Sequence, residues 1–78
     1  MGKSITIRVR GRILYHQAYS TYVVELYNED GKLTGYEILA TPLKRLKKEG
    51  VKLKSDDIVL VELCTSDKGK GKILDIAG

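Results

Sequence analysis

The sequence contains one cysteine, one histidine and one proline, and neither tryptophan nor phenylalanine. Each shortage removes a class of function. Cys64 alone excludes an internal disulfide and a cysteine-built zinc site. His16 alone supplies no triad, and general acid–base chemistry needs a positioned partner, so no enzyme and no cofactor are expected. No apolar run approaches the roughly 20 residues that cross a bilayer. The N-terminal residues Ile5, Thr6, Ile7, Arg8, Val9 and Arg10 alternate instead of forming an apolar block. No secretory leader is expected there, and a reducing, cytoplasmic setting is. Met1, Gly2 and Thr6 match a loose myristoylation pattern, but the same residues read as the approach to a strand.

What remains is a chain of 78 residues, enough for one domain and no second core. Its net charge is +4 and is unevenly spread. Between Thr41 and Lys54 stand Lys44, Arg45, Lys47, Lys48, Lys52 and Lys54 against the single acid Glu49, so this segment carries +5 and the rest −1. Charge gathered in one segment is an electrostatic footprint for a polyanion. The alternative is a solvated helix face.

Periodicity gives the elements. Ile5, Ile7, Val9, Gly11, Ile13 and Tyr15 share one parity, with Thr6, Arg8, Arg10 and Arg12 on the other, which predicts a half-buried first strand. Gly11 in its middle predicts a bend or bulge, and a bent strand can pair with both halves of a small closed barrel. His16 to Ser20 lack a period and predict a loop. Thr21 to Tyr27 predict a second strand with Tyr22, Val24 and Leu26 inward and Val23, Glu25 and Tyr27 outward. Asn28 to Gly31 predict a hairpin turn, and Lys32 to Ala40 a third strand with Tyr36 and Ile38 inward. Thr41 as N-cap and Pro42 as first helical residue predict a short basic helix ending at Gly50, with Leu43 and Leu46 toward the core. Val51 and Leu53 lead back to the core, and Ser55, Asp56 and Asp57 predict a turn. Ile58 to Cys64 predict a fourth strand with Val59, Val61 and Leu63 inward. Asp67, Lys68, Gly69, Lys70 and Gly71 predict a basic loop, and Lys72 to Ile76 the last strand. Gly69 and Gly71 lack phosphate-loop spacing and no helix follows them. The expected fold is small and all-β: a five-stranded Greek-key barrel of the oligonucleotide-binding (OB) type with one short helix between strands three and four.

Tyr22-Val23-Val24-Glu25-Leu26, the Asn28 to Gly31 turn, the basic helix, Asp57-Ile58-Val59-Leu60-Val61-Glu62-Leu63 and Lys70-Gly71-Lys72-Ile73 together resemble the translation initiation factor one family, whose archaeal and eukaryotic members are called factor one A. The resemblance runs from about Ile5 to Ile76. It implies an OB fold that docks on small-subunit ribosomal RNA near the decoding site, with Lys44, Arg45, Lys47 and Lys48 matching the family's RNA-contacting segment. The chain departs from the family pattern at Thr41-Pro42 and at Asp56. Thr41-Pro42-Leu43 through Val61-Glu62 also resemble the swapped-hairpin transcription regulators, which are DNA-binding dimers, but only over the C-terminal half.

The candidate nucleic-acid contacts follow. Tyr19 in the first loop and Tyr27 on the outer face of strand two are stacking candidates, while Tyr22 and Tyr36 are expected in the core. The basic candidates are Lys44, Arg45, Lys47, Lys48, Lys52 and Lys54, with Lys68, Lys70 and Lys72 from the last loop and strand. Arg8, Arg10 and Arg12 read either as phosphate contacts or as a cross-strand charge row with Glu25, Glu37 or Glu62. RNA, including the small ribosomal subunit, is the expected partner of a monomer or weak homodimer. DNA is the alternative, as is a protein partner held on Ile58, Leu60 and Val23.

Overall fold

The structure, a computed structural model, describes residues 6–64 and 69–77. Five strands and one short helix follow in the order β1 (Thr6–Ala18), β2 (Thr21–Tyr27), β3 (Leu33–Pro42), α1 (Lys44–Lys48), β4 (Ile58–Cys64) and β5 (Lys70–Ile76). The strands form one sheet that closes on itself as a barrel-like ring in the order β1-β2-β3-β5-β4. All pairings are antiparallel except β3 with β5. The first two strands are integral to this ring, because β4 pairs with β1 as well as with β5.

Closure depends on β1 serving two neighbours. Thr6 to Arg12 register with Cys64 to Ile58 of β4, while Gly11 to Ala18 register with Leu26 to Thr21 of β2. Gly11 sits where the two pairings overlap. A Cβ there would collide with Val24 Cγ1 and lie 3.1 Å from the Glu25 carbonyl oxygen. Gly71 is confined in the same way, with Leu63 Cδ2 and Val61 Cγ1 each 2.9 Å from a Cβ position. Both glycines mark close backbone approach in a tightly curved sheet.

The inward-facing residues of all five strands meet in one core: Ile13, Val24, Leu26, Ile38, Ala40, Val59, Val61 and Ile73, with Leu46 added from the helix. Val9, Tyr22, Val51, Leu53 and Leu63 pack against its rim. The alternation read from β2 and β4 is therefore the observed one for Val24, Leu26, Val59, Val61 and Leu63.

Several expectations are corrected. His16 to Ala18 are strand, not loop, and only Tyr19 and Ser20 turn the β1–β2 hairpin. Tyr36, expected in the core, is 53% exposed, because the β2–β3 register slips between Glu25 and Tyr27, with Gly35 beside it at φ 80°. Val23 faces outward as expected but is buried there. Thr41 and Pro42 do not start the helix. They close β3 beside Lys72 and Ile73 of β5, and Leu43 holds the N-cap position without a side-chain cap. Lys70 and Gly71 belong to β5 rather than to a loop.

A five-residue helix is far below the length that is stable alone. Tertiary contacts hold α1. Leu46 is buried, Leu43 N–H donates to the Ile73 carbonyl at 3.1 Å, and Arg45 Nη2 donates to the Leu74 carbonyl at 2.9 Å. The helix stops at Gly50, and Val51 N–H donates back to the Leu46 carbonyl at 3.1 Å.

Candidate nucleic-acid interface

The outer face of β1, β2, β3 and β5 is ordered by register. Ile13, Val24 and Ile38 are successive partners across three strands, and all three are buried inward. One step along, the partners are Tyr15, Val23 and Leu39, and Leu39 continues to Lys70 of β5. This row lies on the opposite, outer face. Tyr15 reaches that face because the β1–β2 register shifts between Ile13 and Tyr15, which inserts Leu14 and reverses the parity of Tyr15 and His16 before a second shift between His16 and Ala18. Tyr15 is 52% exposed and Leu39 is also exposed, with Val23 buried between them. The next step pairs Thr41 with Lys72. An aromatic-apolar row thus ends on one strand lysine and lies beside another.

The hairpin tip next to this face presents Tyr19, which is 99% exposed and has a left-handed backbone at φ 51°. His16 fixes the tip. Its ring stacks on Tyr22 with centroids 4.6 Å apart, and its Nε2–H donates to the Tyr19 carbonyl. The single histidine is engaged in shaping the loop.

The basic segment follows directly from the end of β3. Lys44, Lys47, Lys48, Lys52 and Lys54 are exposed, and among the described residues none of them forms an ion pair. Lys70 and Lys72 are exposed on β5. Arg45 behaves differently. Besides its bond to the Leu74 carbonyl it lies 3.7 Å from Glu49 and 3.9 Å from Asp75, so it ties the helix to β5. Lys68 lies outside the described residues.

The β1 arginines form the cross-strand charge row. Arg8 lies 3.6 Å from Glu62 of β4, and Arg12 lies 3.6 Å from Glu25 of β2. Glu25 is held from a second side, where its Oε2 accepts the Gly35 N–H at 2.8 Å. Arg12 Nε is buried and has no hydrogen-bond partner among the described residues. Arg10 is exposed and, among the described residues, forms no ion pair. Arg8, Arg10 and Tyr27 line a separate open concavity of about 660 Å³ with Asn28, Glu29, Gly31 and Ile58. The predicted site residues therefore fall into four groups: lysines on α1, the segment after it and β5, an arginine row paired at Arg8 and Arg12, a concavity beside the β2–β3 turn, and Tyr19 at the β1–β2 hairpin tip.

Two contributors were not expected, Tyr15 and Leu39. The signal for Tyr15 is the apolar run Ile13-Leu14-Tyr15, which breaks the alternation where the bulge occurs. The paired carboxylates Asp56 and Asp57 form a turn: Asp56 has φ 72°, and Asp57 Oδ2 accepts the Lys54 N–H at 2.9 Å. Among the described residues no cluster of three or more His, Cys, Asp or Glu could hold a metal, and no helix is long and apolar enough to cross a membrane. Comparison with the known protein families finds none whose model matches the chain.

Proposed function

We propose that this chain is a non-enzymatic RNA-binding module of the OB type, taking single-stranded RNA on the outer face of β2 and β3. The observation that carries this reading is the row Tyr15–Val23–Leu39–Lys70, with Lys72 one step along and Tyr19 at the adjoining hairpin tip. Single strands are bound by aromatic platforms beside a basic track, because every base has a π-face and every nucleotide a phosphate. The ring order β1-β2-β3-β5-β4 with a helix between β3 and β4 supports a Greek-key OB topology, whose strand two–three face and adjoining loops commonly bind oligonucleotides. The lysines of α1 and the segment after it extend the positive surface from the end of β3. Engagement of His16 in the hairpin and Asp57 in a turn supports binding rather than catalysis. The resemblance to the initiation factor one family supports ribosomal RNA of the small subunit as the ligand and a cytoplasmic setting.

Fluorescence anisotropy with labelled single-stranded RNA and matched duplex DNA at two salt concentrations tests this. Tighter, salt-dependent RNA binding is expected. Tighter duplex binding would turn the assignment to DNA, and binding to neither would remove the proposal.

A further inference from the structure

The concavity beside the β2–β3 turn lies where β1 has one paired edge and one open edge. Thr6 to Arg10 register with β4, but the partners of β1 in β2 begin only at Gly11. Ile13 exchanges hydrogen bonds with Asp57 and Asp56 on the β4 side, so alternate residues toward the N-terminus turn their backbone groups the same way. Thr6 and Arg8 consequently turn their N–H and C=O groups to the other side. There β2 has already run into the Asn28–Lys32 turn, which Asn28 Oδ1 fixes by accepting the N–H groups of Asp30 and Lys32. Among the described residues no strand covers this edge.

Charge decides what can. A second copy pairing antiparallel along Thr6 to Arg10 would set Arg8 against Arg8 or Arg10, a like-charge juxtaposition that blocks self-association. Glu62 and Glu25 partner Arg8 and Arg12, whereas Arg10 between them has no carboxylate partner among the described residues. Val9, of opposite parity, is half-buried and packs against the core rim.

We propose that this edge accepts an extended acidic segment of a partner protein by strand addition. Its alternate carboxylates would face Arg8 and Arg10, and its intervening apolar side chains would face Val9. An acid–apolar–acid peptide meets both the row of backbone donors and acceptors and the arginines, whereas an oligonucleotide would meet only the latter. The site adjoins the proposed RNA face at Tyr27 but uses none of the row Tyr15–Val23–Leu39–Lys70, and it does not depend on it.

The test is anisotropy with a labelled peptide of alternating Glu and Val, compared with a block peptide of the same composition and with the alternating peptide N-methylated at every second residue. Only the unmodified alternating peptide is expected to bind well, with N-methylation weakening it about tenfold or more by removing the strand hydrogen bonds. Arg10→Glu should weaken the peptide about tenfold through like-charge repulsion and leave single-stranded RNA binding unchanged, with Arg10→Gln intermediate. Equal binding of the block or N-methylated peptide to the unaltered protein would overturn the proposal. So would an Arg10→Glu variant that loses RNA and keeps the peptide.

Discussion

The chain has two basic regions that look alike in composition and are used differently. On β1 the arginines alternate along a strand, and two of the three find a carboxylate at the matching register of a neighbouring strand. On α1, the segment after it and β5 the lysines stand exposed, and among the described residues none is paired with an acid. Strand register, which sets residues side by side at roughly 5 Å, brings Arg8 and Arg12 to carboxylates, but it does not decide alone: Lys72 also registers with Glu62, whose carboxylate goes to Arg8. Arg45 shows that the rule is local, since it stands among the lysines but is held by Glu49, Asp75 and a backbone carbonyl.

The contrast can be broken at its scaffold first. Leu46→Ala should cost about 2–5 kcal/mol of stability in urea unfolding, because it empties the core position that fastens α1 to the ring. Next in size is removal of the unpaired lysines. If Lys44, Lys47, Lys48, Lys70 and Lys72 each neutralise one phosphate, the intact protein should lose about 100-fold in RNA affinity between about 50 and about 200 mM salt, at ~0.7 of log–log slope per contact. The variant with all five changed to Gln should lose almost none. The same titration on Arg8→Gln should give the intact slope, and a flattened one would merge the two regions. Tyr15→Ala should weaken RNA binding by about 1–3 kcal/mol, while Tyr36→Ala, away from the row, should not. The smallest effects separate the two ion pairs. Arg12→Ala leaves the largely buried Glu25 without its cation and should cost about 1–2 kcal/mol in chemical denaturation. Arg8→Ala acts on a side chain 67% exposed and should cost below about 0.5 kcal/mol.

How much of this was legible varies with the kind of signal. Period-two alternation located β2 and β4 at their observed bounds and named Val24, Leu26, Val59, Val61 and Leu63 as inward. Gly11 was readable as a special position, but close approach to Val24 and Glu25 is what requires it, and the register irregularities of β1 fall after Ile13 and after His16 instead. Register slips were harder to read. The inserted Leu14 turned Tyr15 outward and is marked only by the break in alternation at Ile13-Leu14-Tyr15, while the β2–β3 irregularity that exposed Tyr36 leaves no mark in local propensity. Thr41-Pro42 carries the local grammar of a helix start, yet β5 pairs alongside both residues, and tertiary pairing overrides it. The candidate site suffered the same way. Its lysines were visible as a charge cluster, but the face they adjoin depends on which residue of β1 lies opposite Val23.

The double pairing of β1 also sets the order in which the chain can assemble. β1, β2 and β3 are joined by short turns and form contacts between near neighbours, so this meander can appear early. Closure requires Thr6 to meet Cys64 across most of the chain, and Leu39 to meet Lys70 across more than a third of it. Contacts of such separation form late, because the entropy of closing the intervening loop is lost before burial repays it. The β4-facing edge of β1 therefore stays bare until the last third of the polypeptide has been synthesised and has arrived. During that interval the arginine row, not yet matched by Glu62, keeps one nascent chain from pairing with another.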